Sequence, residues 1–126
     1  MVDTNAGDTA VIHHVLTRKS VFLRKAVGAA ISEQAVAANI DTVFLCMSLN
    51  NDFNLRRLER YLSAAWGSGA TPVIVLTKSD LCSNLSDMLS AVENIAIGTE
   101  VVVTSAKEPN GHEKRMQYIT KGKTVA

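Results

Sequence analysis

The sequence predicts an α/β domain built on a parallel sheet. Apolar runs rich in β-branched residues recur at Thr42–Leu49, Pro72–Leu76 and Glu100–Thr104. Between them lie segments whose apolar residues fall at helical spacing. Runs without strict alternation mark strands buried on both faces. Strand–helix–strand repeats imply right-handed crossovers, helices on both faces and a ligand edge at the carboxyl ends of the strands.

The amino-terminal part is less regular. From Gly7 to Phe22 the chain reads as strand material, with Ala10, Ile12 and His14 alternating with Val11, His13 and Val15. One or two strands are not stable alone, so this segment needs a partner. Arg18 to Ala30 is basic and then small and Gly-containing, which suits a linker or loop. Ser32 to Asn39 is expected to form a short helix.

The first buried strand opens at Asp41–Thr42, and Cys46 within it is expected to be a small core residue. Asn54 is placed to cap a helix in which Leu55, Leu58, Leu62 and Ala65 share one face. Arg56, Arg57, Glu59 and Arg60 cover the other, where the three arginines make a solvated face or a contact to a partner. Gly67 and Gly69 are expected to stop this helix. Trp66 beside them suits core packing or capping of the helix end. A second helix follows from about Ser83, with Leu85, Met88, Leu89 and Val92 inward. A third is expected from about Asn110 to Thr120, with Met116 and Ile119 inward. Thr124–Ala126 begins another strand.

Composition limits the function classes. The 126 residues are 47% hydrophobic and only 5% aromatic, so the core rests on Val, Leu, Ile and Ala. A net charge of +1 argues neither for nor against nucleic acid. The charge is uneven: Arg18, Lys19, Arg24 and Lys25 lie early, and Lys107, Lys114, Arg115, Lys121 and Lys123 lie late. The early group could grip RNA phosphates or simply be solvated. Cys46 and Cys82 stand far apart, without a disulfide framework or zinc-ligand spacing. Met1–Ala10 lacks the apolar core of a signal peptide. No apolar stretch approaches the roughly 20 residues of a membrane span. The expectation is a soluble, cytoplasmic protein without membrane contact. His13 and His14, adjacent in a strand, would face opposite sides and make poor metal partners.

Two strand ends carry the chemistry. The second strand runs into Thr77-Lys78-Ser79-Asp80-Leu81, and the third into Thr104-Ser105-Ala106-Lys107. Neighbouring parallel strands would put these loops side by side. Together they resemble the guanine-reading loops of GTPases, written NKxD and SAK. The physical logic fits a guanine. Its N1–H and exocyclic amine are both donors, and one carboxylate, Asp80, can accept from both. Adenine offers a bare N1 acceptor there and is repelled. Guanine O6 needs a donor, which the backbone N–H of Ala106 or its neighbour can provide. The aliphatic stem of Lys78 can lie over the purine while its ammonium stays wet. The simpler alternative is that Asp80 only helps to start the next helix, with Lys78 solvated. Asp41, at the amino end of its strand, is expected to be structural.

A longer resemblance covers nearly the whole chain. Arg18-Lys19-Ser20, Arg24-Lys25, Glu33-Gln34, Ala38-Asn39-Ile40-Asp41, the string Phe53–Leu62 and the string Ser68–Lys78 are similar to the RsgA family. These are bacterial GTPases of the circularly permuted, small-subunit-dependent class. The resemblance implies a partial P-loop GTPase sheet, Rossmann-like, of three to four strands. It implies GTP or GDP as ligand, with Thr77, Lys78, Asp80, Ser105, Ala106 and Lys107 reading the base. It also implies that residues 1–24 are the tail of an OB-fold and linker, and that 25–126 are the first half of the GTPase domain. In that family the phosphate loop follows the base-reading motifs, so Gly122–Ala126 would lead towards it. Mg²⁺, a structural zinc and the catalytic residues would belong to parts that this sequence does not contain. Hydrolysis by the isolated 126 residues is therefore not expected. The implied partners are the small ribosomal subunit and 16S rRNA, in late maturation. Thr77 departs from the family's Asn, which puts affinity rather than identity in question.

Two other readings compete. In one, the unit is a partial α/β module that binds RNA or protein without nucleotide. In the other, it is a GTPase of ordinary order whose phosphate loop lies upstream of Met1.

Overall fold

The structure is a computed structural model that describes residues 2–6, 9–25 and 33–126. Strands β1 (Val2–Ala6) and β2 (Thr9–Ile12) form an antiparallel pair. His13 and His14 lie beyond β2 in irregular backbone, not within a strand as expected.

The linker expected over Arg18–Ala30 contains a strand, β3 (Val21–Lys25), while residues 26–30 lie outside the described residues. The helix expected over Ser32–Asn39 is instead strand β4 (Glu33–Ala38), antiparallel to β3, with Ser32 outside the described residues. Asn39 ties the open end of this pair, where the chain enters β3 and leaves β4. It adopts a left-handed φ of 56°, and its Oδ1 accepts from the Lys19 N–H at 2.7 Å. Its own N–H donates to the Ser20 carbonyl at 3.0 Å. Phe22 and Ala37 then pack on the main core.

That core is the expected parallel sheet: β5 (Thr42–Ser48), β6 (Thr71–Thr77) and β7 (Glu100–Val103), in that order. Thr124–Ala126 lies beside β5 as an isolated bridge and not as the further strand anticipated. Thr42 and Val125 form a parallel bridge, and Phe44 N–H donates to the Ala126 carbonyl at 2.7 Å.

Helix α1 (Leu55–Ser68) begins where the sequence places it. Asn54 Oδ1 accepts from the Arg57 N–H at 2.9 Å, a cap of about 1 kcal/mol. Gly69 ends the helix in a left-handed turn with φ 78°, its N–H donating to the Trp66 carbonyl. Gly67 lies inside the helix. Trp66 itself is 55% exposed, so its ring does not fill the core. Arg57 is half-buried rather than solvated: its guanidinium donates to the Asp52 carbonyl and touches Met47 Sδ.

Leu58, Leu62 and Ala65 are buried against Val43, Leu45, Met47, Ile74 and Leu76. Each such leucine contributes about 1.5–3 kcal/mol of burial. Helix α2 (Leu85–Ile95) packs Val92, Met88 and Leu89 into the same cluster. Both long helices therefore cover one face of the sheet. The opposite face holds Val73, Val75 and Val102, packed by Phe44 and Tyr118. Cys46 is exposed and not the core residue expected.

The third helix is short, α3 (Glu113–Met116). Met116 and Ile119 are 54% and 53% exposed, so neither points inward as anticipated. Tyr118 does the packing instead, edge-on to Phe44 with ring centres 5.6 Å apart. Among the described residues no helix is long and apolar enough to cross a membrane.

Candidate functional site

The candidate site stands at the carboxyl ends of β5, β6 and β7, where register brings the loops together. Ser48 pairs with Thr77, and Leu76 with Val103. The Thr77 carbonyl accepts from the Leu49 N–H at 2.9 Å, tying the ends of β5 and β6. The Leu76 carbonyl accepts from the Thr104 N–H at 2.9 Å, and the Thr104 carbonyl from the Ser79 N–H at 3.3 Å. The two loops after β6 and β7 are thus joined by main-chain bonds on both sides.

Lys78 makes the turn. It is a non-glycine residue at φ 58°, the left-handed region, and leads into a single 3-10 turn over Ser79–Leu81. That turn carries Asp80 toward the neighbouring loop. Ser105 Oγ donates to Asp80 Oδ1 at 2.6 Å, and Lys107 Nζ lies 3.2 Å from Asp80 Oδ2. The Lys107 N–H in turn donates to Ser105 Oγ at 3.1 Å. Ser105 is fully buried, while the Asp80 side chain keeps 24% of its exposure. A buried hydroxyl therefore aims a carboxylate that remains open to solvent. The Ser105 hydrogen bond, with help from Lys107 and against partial desolvation, holds the Asp80 carboxyl below its ordinary 3.8. It is an anion at neutral pH.

Of the six residues singled out from sequence, Asp80, Ser105 and Lys107 touch one another directly. Ala106 sits exposed between Ser105 and Lys107, and Lys78 is exposed two residues before Asp80. Thr77 contributes its carbonyl to the strand ends. Sequence reasoning passes over Thr104 Oγ1, which donates to the Gly111 carbonyl and closes the second loop. The available signal is a glycine six residues beyond Ser105.

A cleft of about 380 Å³ lined by Leu62, Trp66, Ile95 and Ile97 shares no residue with this site. Among the described residues no group of three or more His, Cys, Asp or Glu could hold a metal ion.

Fold and site together define a parallel α/β domain with a polar, carboxylate-bearing edge at its strand tips. The family model for the RsgA GTPase matches residues 15–126. The small ribosomal subunit biogenesis GTPase RsgA 2 of Lactiplantibacillus plantarum is 46% identical over 125 residues, covering 99% of this chain and 35% of that protein. The corresponding RsgA of Opitutus terrae is 46% identical over 115 residues, covering 91% and 31%. The crystal structure of YjeQ from Thermotoga maritima superposes with a TM-score of 0.70 at 26% identity, over 98% of this chain and 42% of that one. YloQ, a circularly permuted GTPase, has the same fold with a TM-score of 0.63 at 20% identity, over 98% and 41%. This chain belongs to the RsgA GTPase family. It spans about a third of the length of the curated relatives it matches.

Proposed function

We propose that this chain supplies the guanine-recognition half of a GTP-hydrolysing factor in late maturation of the small ribosomal subunit. The observation that carries this is the contact of Ser105 Oγ with Asp80 at 2.6 Å, which joins two loops into one edge. Such an edge suits a base with adjacent donors. Asp80 accepts from guanine N1–H and from its amine, using lone pairs that Ser105 leaves over. The Ala106 N–H reaches O6, and the Lys78 stem covers the ring. Discrimination is steep because adenine leaves the carboxylate facing another acceptor. Ser105 acts as a positioning residue for Asp80.

The wider reading rests on the family. The β1–β2 pair is assigned to the tail of an OB-fold on 16S rRNA, in the cytoplasm. Packing of Phe22 and Ala37 on the α/β core supports moving the boundary expected after residue 24 to before Val21, so that the β3–β4 hairpin goes with the GTPase domain. GTP and GDP are the ligands. The 126 residues alone, without a Gly-rich phosphate loop, bind the base weakly and do not turn over GTP.

Guanosine titration followed by amide NMR tests the base reading. Guanosine shifts Ser79–Leu81 and Ser105–Lys107, and adenosine does not. Asp80→Asn weakens guanosine by about tenfold or more and improves xanthosine, whose C2 carbonyl accepts from the new amide. An unchanged guanosine response in Asp80→Asn removes the reading. Cosedimentation of the chain with small but not large ribosomal subunits tests the partner.

A further inference from the structure

The loop after β7 is closed in an unusual way. Gly111 lies so near Ser105 that a Cβ built on it would collide with the Ser105 carbonyl oxygen. The same Cβ would stand 3.1 Å from the Ser105 carbonyl carbon and 3.2 Å from Thr104 Oγ1. Contacts this tight are relieved only by movement, and the struck atoms are backbone. Ser105 cannot shift without disturbing Asp80. The serine is fully buried, its carbonyl accepts from the Glu108 N–H at 3.3 Å, and its hydroxyl is bound to Asp80. Gly111 is fixed from its own side as well. Its N–H donates to the Glu108 carbonyl at 3.1 Å, and its carbonyl accepts the Thr104 hydroxyl. Residues 104–111 therefore form a closed ring whose inner wall is the peptide that holds Ser105.

We propose that Gly111 and the Thr104 hydroxyl are positioning residues of the base-reading edge, setting through Ser105 where the Asp80 carboxylate points. The functional side of this rests on the guanine reading above. The mechanical side does not, because Ser105 meets Asp80 in the ligand-free chain. The absence of a side chain at 111 lets the ring close. The Thr104 hydroxyl, on a residue only 4% exposed, latches it from inside. Any β-carbon at 111 must push the ring outward and draw Ser105 off the carboxylate.

The test uses the 126-residue chain carrying Gly111→Ala, Thr104→Val or Thr104→Ser. The Asp80 carboxyl is titrated by ¹³C NMR without ligand. In Gly111→Ala and Thr104→Val its midpoint rises toward 3.8 as the Ser105 hydrogen bond is lost, while Thr104→Ser, which keeps the hydroxyl, leaves it low. Guanosine affinity falls about fivefold or more in the first two variants and recovers in the third. The ratio of guanosine to inosine binding falls with it, since inosine lacks the amine that Asp80 reads. Amides of β5 and β6 stay in place, which separates this from unfolding; if Gly111→Ala does not fold, the Thr104 pair carries the same comparison. An Asp80 midpoint that stays low in the variants overturns the proposal. A midpoint that rises in a chain that never binds guanosine overturns the guanine reading and leaves the mechanical link intact.

Discussion

The two ends of the parallel sheet each hold an aspartate beside a lysine, and they use the pair differently. At the amino end, Asp41 Oδ2 accepts from the Thr124 N–H at 2.9 Å, and Lys123 Nζ lies 3.3 Å from Oδ1. At the carboxyl end, Asp80 is held by the Ser105 hydroxyl and by Lys107. The first carboxylate grips main chain and thereby holds Thr124–Ala126 beside β5. The second is gripped by a side chain and faces outward. A main-chain N–H spent on an aspartate secures architecture. A hydroxyl spent on one aims it and leaves neighbouring main-chain donors for something else.

The largest effect should erase the contrast altogether. Leu58, 1% exposed, sits in the main core on which both ends depend, so Leu58→Ala is expected to cost about 2–5 kcal/mol by chemical denaturation. Amide exchange should quicken at both ends together. A narrower break is Asp41→Asn. It should lower the melting temperature by a few degrees and speed exchange at Phe44 and Ala126 several-fold, with guanosine shifts at the other end unchanged. Loss of guanosine response in this variant would show that the two ends are not separate.

Acid treats the ends alike. The Thr124 N–H, then Lys123, holds the Asp41 carboxyl below 3.8, and Asp80 is lowered too. A carboxyl depressed in the folded chain adds stability above its unfolded pKa and loses it as pH falls through the folded value. The melting temperature should be level from about pH 7 to 5 and decline below about pH 4. Asp41→Asn should flatten part of that decline. The smallest effect belongs to Lys107→Ala. Its side chain is 76% exposed, so the ion pair is screened and the melting temperature should move by about 1 °C or less.

Much of this is legible in the sequence. The strands β5, β6 and β7 are readable because both faces are packed, one by the two long helices and the other around Val73, Val75 and Val102, which calls for unbroken apolar runs. Helix α1 was readable from Asn54, its leucine spacing and Gly69. The hairpin β3–β4 was not. Its residues Arg24, Glu33, Gln34 and Ala35 face solvent, and only Phe22 and Ala37 reach the core, so neither period is written into it. The third helix failed for a related reason. Tyr118 is the apolar anchor of that segment, and the apolar Met116 and Ile119 suggest a face that the fold leaves exposed. Cys46 was misplaced because an apolar run does not reveal which face lacks a covering helix. At the site, Asp80, Ser105 and Lys107 were legible as residue types at strand ends. The ring through Gly111 was not, because a close approach between backbones leaves no mark except a glycine.

Lys78 turns through left-handed space without the excuse of being glycine, which costs about 1–2 kcal/mol. A protein engineer seeking robustness would choose Lys78→Gly and obtain a tougher domain. The same change would strip the hydrocarbon lid from the proposed purine seat. Thermal hardening and base affinity pull in opposite directions at this single position, and a selection for one should steadily erode the other.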